Sequence, residues 1–94
     1  MRKITTKAIY AFMNHSKYSK DNTVVRLRDG YTAIYLNGNC IARHTPKGIE
    51  INHQDYLTNT TKERLNGIPG VCIQQKKGIW YLNNKEMLNG WNKI

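Results

Sequence analysis

From Thr23 to His53 hydrophobicity alternates with a period of two, and the dipeptides Asp29-Gly30 and Asn37-Gly38 cut the run into strands of defined register. Two-residue hairpin loops favour these dipeptides because their central positions call for positive φ. The first turn sets Val25 opposite Ile34 and Leu27 opposite Thr32; the second sets Ile34 opposite Ile41 and Leu36 opposite Asn39. A third turn, Thr45-Pro46-Lys47-Gly48, returns Ile49 and Ile51 to the side of Ile41. One face of this meander is therefore expected to be core: Val25, Leu27, Ile34, Leu36, Ile41, Ile49 and Ile51.

Alternation assigns the opposite face as well. It is expected to carry Val24, Arg26, Arg28, Tyr31, Ala33, Tyr35, Cys40, Ala42, His44, Glu50 and Asn52. Arginine and tyrosine interleaved on a sheet suit a single-stranded nucleic acid, whose bases stack on rings while its phosphates meet guanidinium groups. The same residues are also ordinary cross-strand partners on a solvated sheet, and the small residues Ala33, Ala42 and Cys40 would admit a helix over that face.

The charge gives this face its interest. Fifteen Lys and Arg against six Asp and Glu put the 94-residue chain at +9, spread along its length rather than confined to a tail. An excess of this size exceeds what solubility requires and points to an anionic partner, either nucleic acid or an acidic protein surface. At 39% hydrophobic the chain suits one domain over residues 1–94. It has no apolar run long enough to span a membrane and no signal-like start, which implies a soluble protein inside a cell. Cys40 and Cys72 lie in apolar runs and read as reduced core thiols.

Helices are expected before and after the meander. Ala8, Ile9, Phe12 and Met13 share one helical face, with Thr5 as N-cap and Ile4 and Ile9 as its hydrophobic staple. The polar stretch from His15 to Asn22 then reads as a solvated connector. Thr60-Thr61-Lys62-Glu63 has the spacing of a capping box, and the helix it opens is stopped by a left-handed Gly67 and by Pro69. Gly67-Ile68-Pro69-Gly70 matches a GXXG loop superficially, but helix-stop chemistry accounts for both glycines. A last hairpin turns at Lys77-Gly78, which puts Val71, Ile73, Trp80 and Leu82 on one face and makes Lys76 and Lys77 a basic tip. Trp91 reads as a lid on the core.

Catalytic chemistry finds little footing. His15, His44 and His53 lack metalloprotease spacing, the two cysteines form no zinc motif, and the carboxylates are scattered singles. No catalytic residue, metal or cofactor is implied.

The run Thr60-Thr61-Lys62-Glu63-Arg64-Leu65-Asn66, then Gly70-Val71, Gln75-Lys76-Lys77-Gly78 and Trp80-Tyr81-Leu82-Asn83, resembles a group of short proteins of uncharacterised function encoded by tailed bacteriophages. The likeness extends to Leu36-Asn37-Gly38-Asn39, Ile41-Ala42 and the opening Lys3-Ile4-Thr5. That group often continues Gly-Lys-x-Trp after Leu-Asn; here Asn84 stands for the glycine and Met87 for the tryptophan. The resemblance implies a phage protein acting in the cytoplasm of a bacterial host, in host takeover or against host defence.

The expected architecture is a single α+β domain of about five antiparallel strands and two helices, in the order αβββαββ. The expected function is non-catalytic binding of nucleic acid through Arg26, Arg28, Tyr31, Tyr35 and His44, with Lys76 and Lys77 assisting. Two alternatives share its electrostatics: an anti-CRISPR-like inhibitor that contacts a host effector, and a sponge for a signalling nucleotide. The oligomeric state is left open, a homodimer included.

Overall fold

The computed structural model describes residues 2–94. Its elements, in chain order, are α1 (Lys3–Met13), β1 (Tyr18–Lys20), β2 (Thr23–Arg28), β3 (Tyr31–Leu36), β4 (Asn39–Thr45), β5 (Gly48–Ile51), α2 (Asn59–Asn66), β6 (Ile73–Lys76), β7 (Ile79–Leu82), β8 (Lys85–Glu86) and β9 (Asn92–Lys93). Two antiparallel sheets form, one of six strands in the order β1-β2-β3-β4-β5-β9 and one of three in the order β6-β7-β8. The α+β class holds, while the order αβββαββ gives way to five strands between the helices and four after them. The strands absent from that expectation are mostly short and polar. Tyr18-Ser19-Lys20, expected as connector, pairs with Thr23–Val25 to make an edge strand. Asn92-Lys93 pairs with Glu50-Ile51 at the far edge.

One core holds the layers together. Ala8, Ile9 and Phe12 of α1, Leu65 of α2, and Val25, Ile34, Leu36, Ile41, Ala42 and Ile51 of the large sheet are buried in it with Ile73, Trp80 and Leu82 of the small sheet and Met87, which follows β8. Both helices and the small sheet thus pack on the same, inner side of the large sheet. Leu27, expected in the core, is 46% exposed, because it lies at the open end of its strand.

The turns differ in how their sequences meet the backbone. Asn37-Gly38, Lys77-Gly78 and Asn83-Asn84 each place both residues at positive φ, as a type I′ hairpin requires. Asn84 can replace glycine because asparagine tolerates the left-handed region. At Asp29-Gly30 only the glycine, at φ +88°, is left-handed.

The second turn also hides a shift in register. Tyr35 pairs with Cys40, but Ile34 pairs with Ala42 rather than Ile41. Ile41 is the extra residue of a β-bulge, and alternation along β4 inverts after it.

The helices are capped differently from expectation. α1 starts at Lys3 with Arg2 at its N-cap, and Thr5 is fully buried inside it. The Thr5 hydroxyl is occupied by a tertiary contact, donating to Glu63 and accepting from the Arg64 guanidinium at 2.6 Å. Glu63 in turn leaves the expected capping box and accepts the Arg2 backbone N–H at 3.2 Å, placing negative charge at the N-terminus of α1. The cap of α2 is Thr58, whose hydroxyl accepts from the Thr61 N–H. Gly67 is not left-handed, with φ −73° and ψ −19°. The left-handed residue is Gly70, which follows Pro69 in a turn closed by the bond from Val71 N–H to the Ile68 carbonyl.

Candidate nucleic-acid interface

The outer face of the large sheet is crossed by a row of paired residues from five strands. Arg26 of β2 lies opposite Ala33 of β3, which lies opposite Arg43 of β4, then Glu50 of β5 and Lys93 of β9. Directly paired residues share a face, so this row runs across the outer surface from β2 to the β9 edge. Beside it run Val24, Tyr35 and Cys40 on one flank and the pair Arg28–Tyr31 on the other.

Arg26, Arg28, Tyr31 and Tyr35 thus converge as expected. Arg28 Nε donates to the Tyr35 hydroxyl at 2.9 Å. The guanidinium carbons of Arg28 and Arg26 lie 5.2 and 5.9 Å from the centre of the same ring, within cation–π range. Both arginines are exposed, while the two tyrosines are half-buried. The helix that small residues would have admitted does not pack here. Ala42 is turned inward by the bulge, and Ala33 is buried with arginine as its neighbour on either side.

The bulge exchanges two residues. His44 moves to the inner side, where Nδ1 donates to the Phe12 carbonyl at 3.2 Å and the ring stacks on His15 with centroids 4.3 Å apart. A carbonyl only accepts, so His44 carries its proton on Nδ1 and serves as a cap for the C-terminus of α1. His15 Nδ1 lies 2.6 Å from the hydroxyl of buried Thr32, which completes the junction. His44 is therefore withdrawn from the expected binding face.

Arg43 takes its place. Its guanidinium lies 3.7 Å from the centre of the Trp91 ring and its terminal nitrogen meets Glu50 at 3.1 Å. Trp91 is half-buried against Arg43 on the outer side rather than closing the core. The run Cys40-Ile41-Ala42, three apolar residues in an otherwise alternating strand, was the sequence signal for the bulge and hence for Arg43.

Lys76 and Lys77 are exposed at the tip of the β6–β7 hairpin, on the small sheet. The arginine–tyrosine cluster lies on the large sheet, so the two lysines stand apart from it.

Little in this region is poised for covalent chemistry. Burial pushes the Cys40 thiol above its ordinary value, more than the nearby Arg43 and Arg28 lower it, so the neutral thiol is favoured. Cys72, expected to be buried, is exposed, and both cysteines are free. Among the described residues no three His, Cys, Asp or Glu side chains gather as a metal site, and no helix is long and apolar enough to cross a membrane.

Neither a curated protein nor a solved structure matches the chain. One family model does, that of the Kyanoviridae Gp96 protein, over residues 1–93. The match spans both helices and both sheets, and the chain belongs to the Kyanoviridae Gp96 family of phage proteins.

Proposed function

We propose that this phage protein is a non-catalytic binder of single-stranded nucleic acid, using the outer face of the six-stranded sheet. The observation that supports this is the row of Arg26, Arg43 and Lys93 on a sheet face that neither helix covers, beside Arg28, Tyr31, Tyr35 and Trp91, with Glu50 as the one carboxylate among them. Guanidinium groups held over rings offer flat cationic surfaces, on which a base can stack while the charge meets phosphate. Holding them in place beforehand lowers the ordering cost of binding. The setting suits a protein that acts on nucleic acid, or on a nucleic-acid-handling complex, inside an infected host.

Binding of a labelled single-stranded oligonucleotide, followed against salt, tests the reading. Log affinity is expected to fall against log salt with a slope of about −4, as for five or six neutralised phosphates. Replacing Arg26 and Arg28 together with alanine is expected to weaken binding at least tenfold. Affinity indifferent to salt, or untouched by the double substitution, rejects it. Tight capture of a host protein complex by a chain that ignores free nucleic acid would instead favour the inhibitor reading.

A further inference from the structure

The outer face does not exhaust the positive charge. β1 covers β2 only from Thr23 to Val25, and beyond its end the flank of Arg26, Leu27 and Arg28 borders a cavity of about 620 Å³. Lys17 joins the two arginines in lining it. A second cavity, of about 510 Å³, is lined by Arg2, Lys3 and Lys7 at the start of α1 and by Lys20 of β1. Tyr18 and Ser19 line both cavities. These are successive strand residues and point to opposite sides of the sheet, so the two cavities meet around the edge strand itself.

The charge of this region is lopsided. Three cations line the first cavity and four the second, and Asp21 is the one carboxylate lining either. An edge strand three residues long presents little bulk for a polymer to pass around. Unlike the outer face, the second cavity offers amines with no exposed ring beyond half-buried Tyr18. Amines without stacking partners serve phosphates rather than bases.

We infer that a single nucleic-acid strand bound at Arg26 and Arg28 continues around β1 and lays its phosphodiester backbone along Lys20, Lys3 and Lys7. This rests on the nucleic-acid reading of the sheet face and adds a second, sequence-indifferent segment to it. The bases are held at the face, and the backbone alone is held along the edge. A duplex, too stiff to turn around a single strand of protein, does not follow this path.

A length series separates the two segments. Homopolymeric deoxythymidine oligonucleotides from about 4 to about 16 nucleotides cover the range of single-domain sites. The test variant carries Lys3→Gln, Lys7→Gln and Lys20→Gln, all at exposed positions that leave the core intact. For the longest oligonucleotide the triple variant is expected to lose about tenfold or more in affinity and about 2 from the salt slope, while the shortest binds as to the wild type. Replacement of Arg26 and Arg28 weakens both lengths. Equal affinity of the triple variant and the wild type for the longest oligonucleotide overturns the edge path and leaves the face reading standing. Tighter binding of a duplex than of a single strand of equal length overturns it as well. Failure of every oligonucleotide to bind the wild type rejects the face reading itself.

Discussion

At Gly67 the requirement for glycine comes from distance, not torsion. Its backbone is ordinary helix, but a Cβ there would lie 2.9 Å from Ile9 Cγ1 and 2.9 Å from Thr5 Cγ2. Composition around Pro69 made a left-handed cap the natural reading, because local sequence carries no record of a helix passing overhead. Gly67→Ala must therefore push α1 from α2, at about 1–3 kcal/mol, and the expected outcome is a melting temperature lower by several degrees. A melting point within a degree of wild type would refute the close approach. Glu63 has a similar history. Burial raises its pKa, yet the bonds from Thr5 and the Arg2 N–H, with the charge and bond of Arg64, outweigh that and hold it below its ordinary 4.5. A carboxylate lowered in the folded state contributes stability fully above that value and loses it as pH falls through the lowered one. Wild-type melting temperature should consequently fall more steeply below pH 4.5 than that of Glu63→Gln, which starts lower at neutral pH. Parallel acid limbs for the two proteins would count against it.

Among the elements, the bulge in β4 decides what each face displays. Hairpin register was readable from turn dipeptides, and the pairs Val25–Ile34, Leu27–Thr32 and Leu36–Asn39 all form. One inserted residue, Ile41, then reverses every later side chain on that strand, and a turn dipeptide carries no information about it. Arg26, Arg28, Tyr31 and Tyr35 precede the reversal and lie where alternation puts them; His44 follows it and does not. The short strands were obscure for another reason. β1 and β9 have too few residues to show a period, and they exist because neighbouring strands offer them free edges. His44→Ala provides a check on the exchange. It removes the cap on the Phe12 carbonyl and the stack on His15, costing about 1–2 kcal/mol, and leaves oligonucleotide affinity unchanged within about twofold. A loss of affinity matching that of the Arg26 and Arg28 substitutions, with stability preserved, would return His44 to the binding face.

Over the whole molecule, the sign and size of the charge were legible in composition, whereas its distribution was not. Lys3 and Lys7 are separated from Arg26 by the rest of α1, a turn and β1, and Lys20 by the tight turn that joins β1 to β2. They form one tract only because α1 packs along the inner side of the sheet and β1 folds back on β2. A chain at +9 repels itself when free, so added salt should raise its melting temperature by screening that repulsion. Bound nucleic acid supplies the same relief through direct neutralisation. At a free oligonucleotide concentration of about a hundred times Kd the linkage amounts to about 2.7 kcal/mol, on the order of 10 °C for a domain of this length. Salt weakens that binding steeply, since each neutralised phosphate releases counterions. The melting curves with and without oligonucleotide should therefore converge as salt rises, the free protein gaining and the complex losing. Thermal denaturation at low and high salt, with and without a saturating single strand, measures both trends at once. A constant separation between the two curves would mean that the ligand is held by contacts other than these cations.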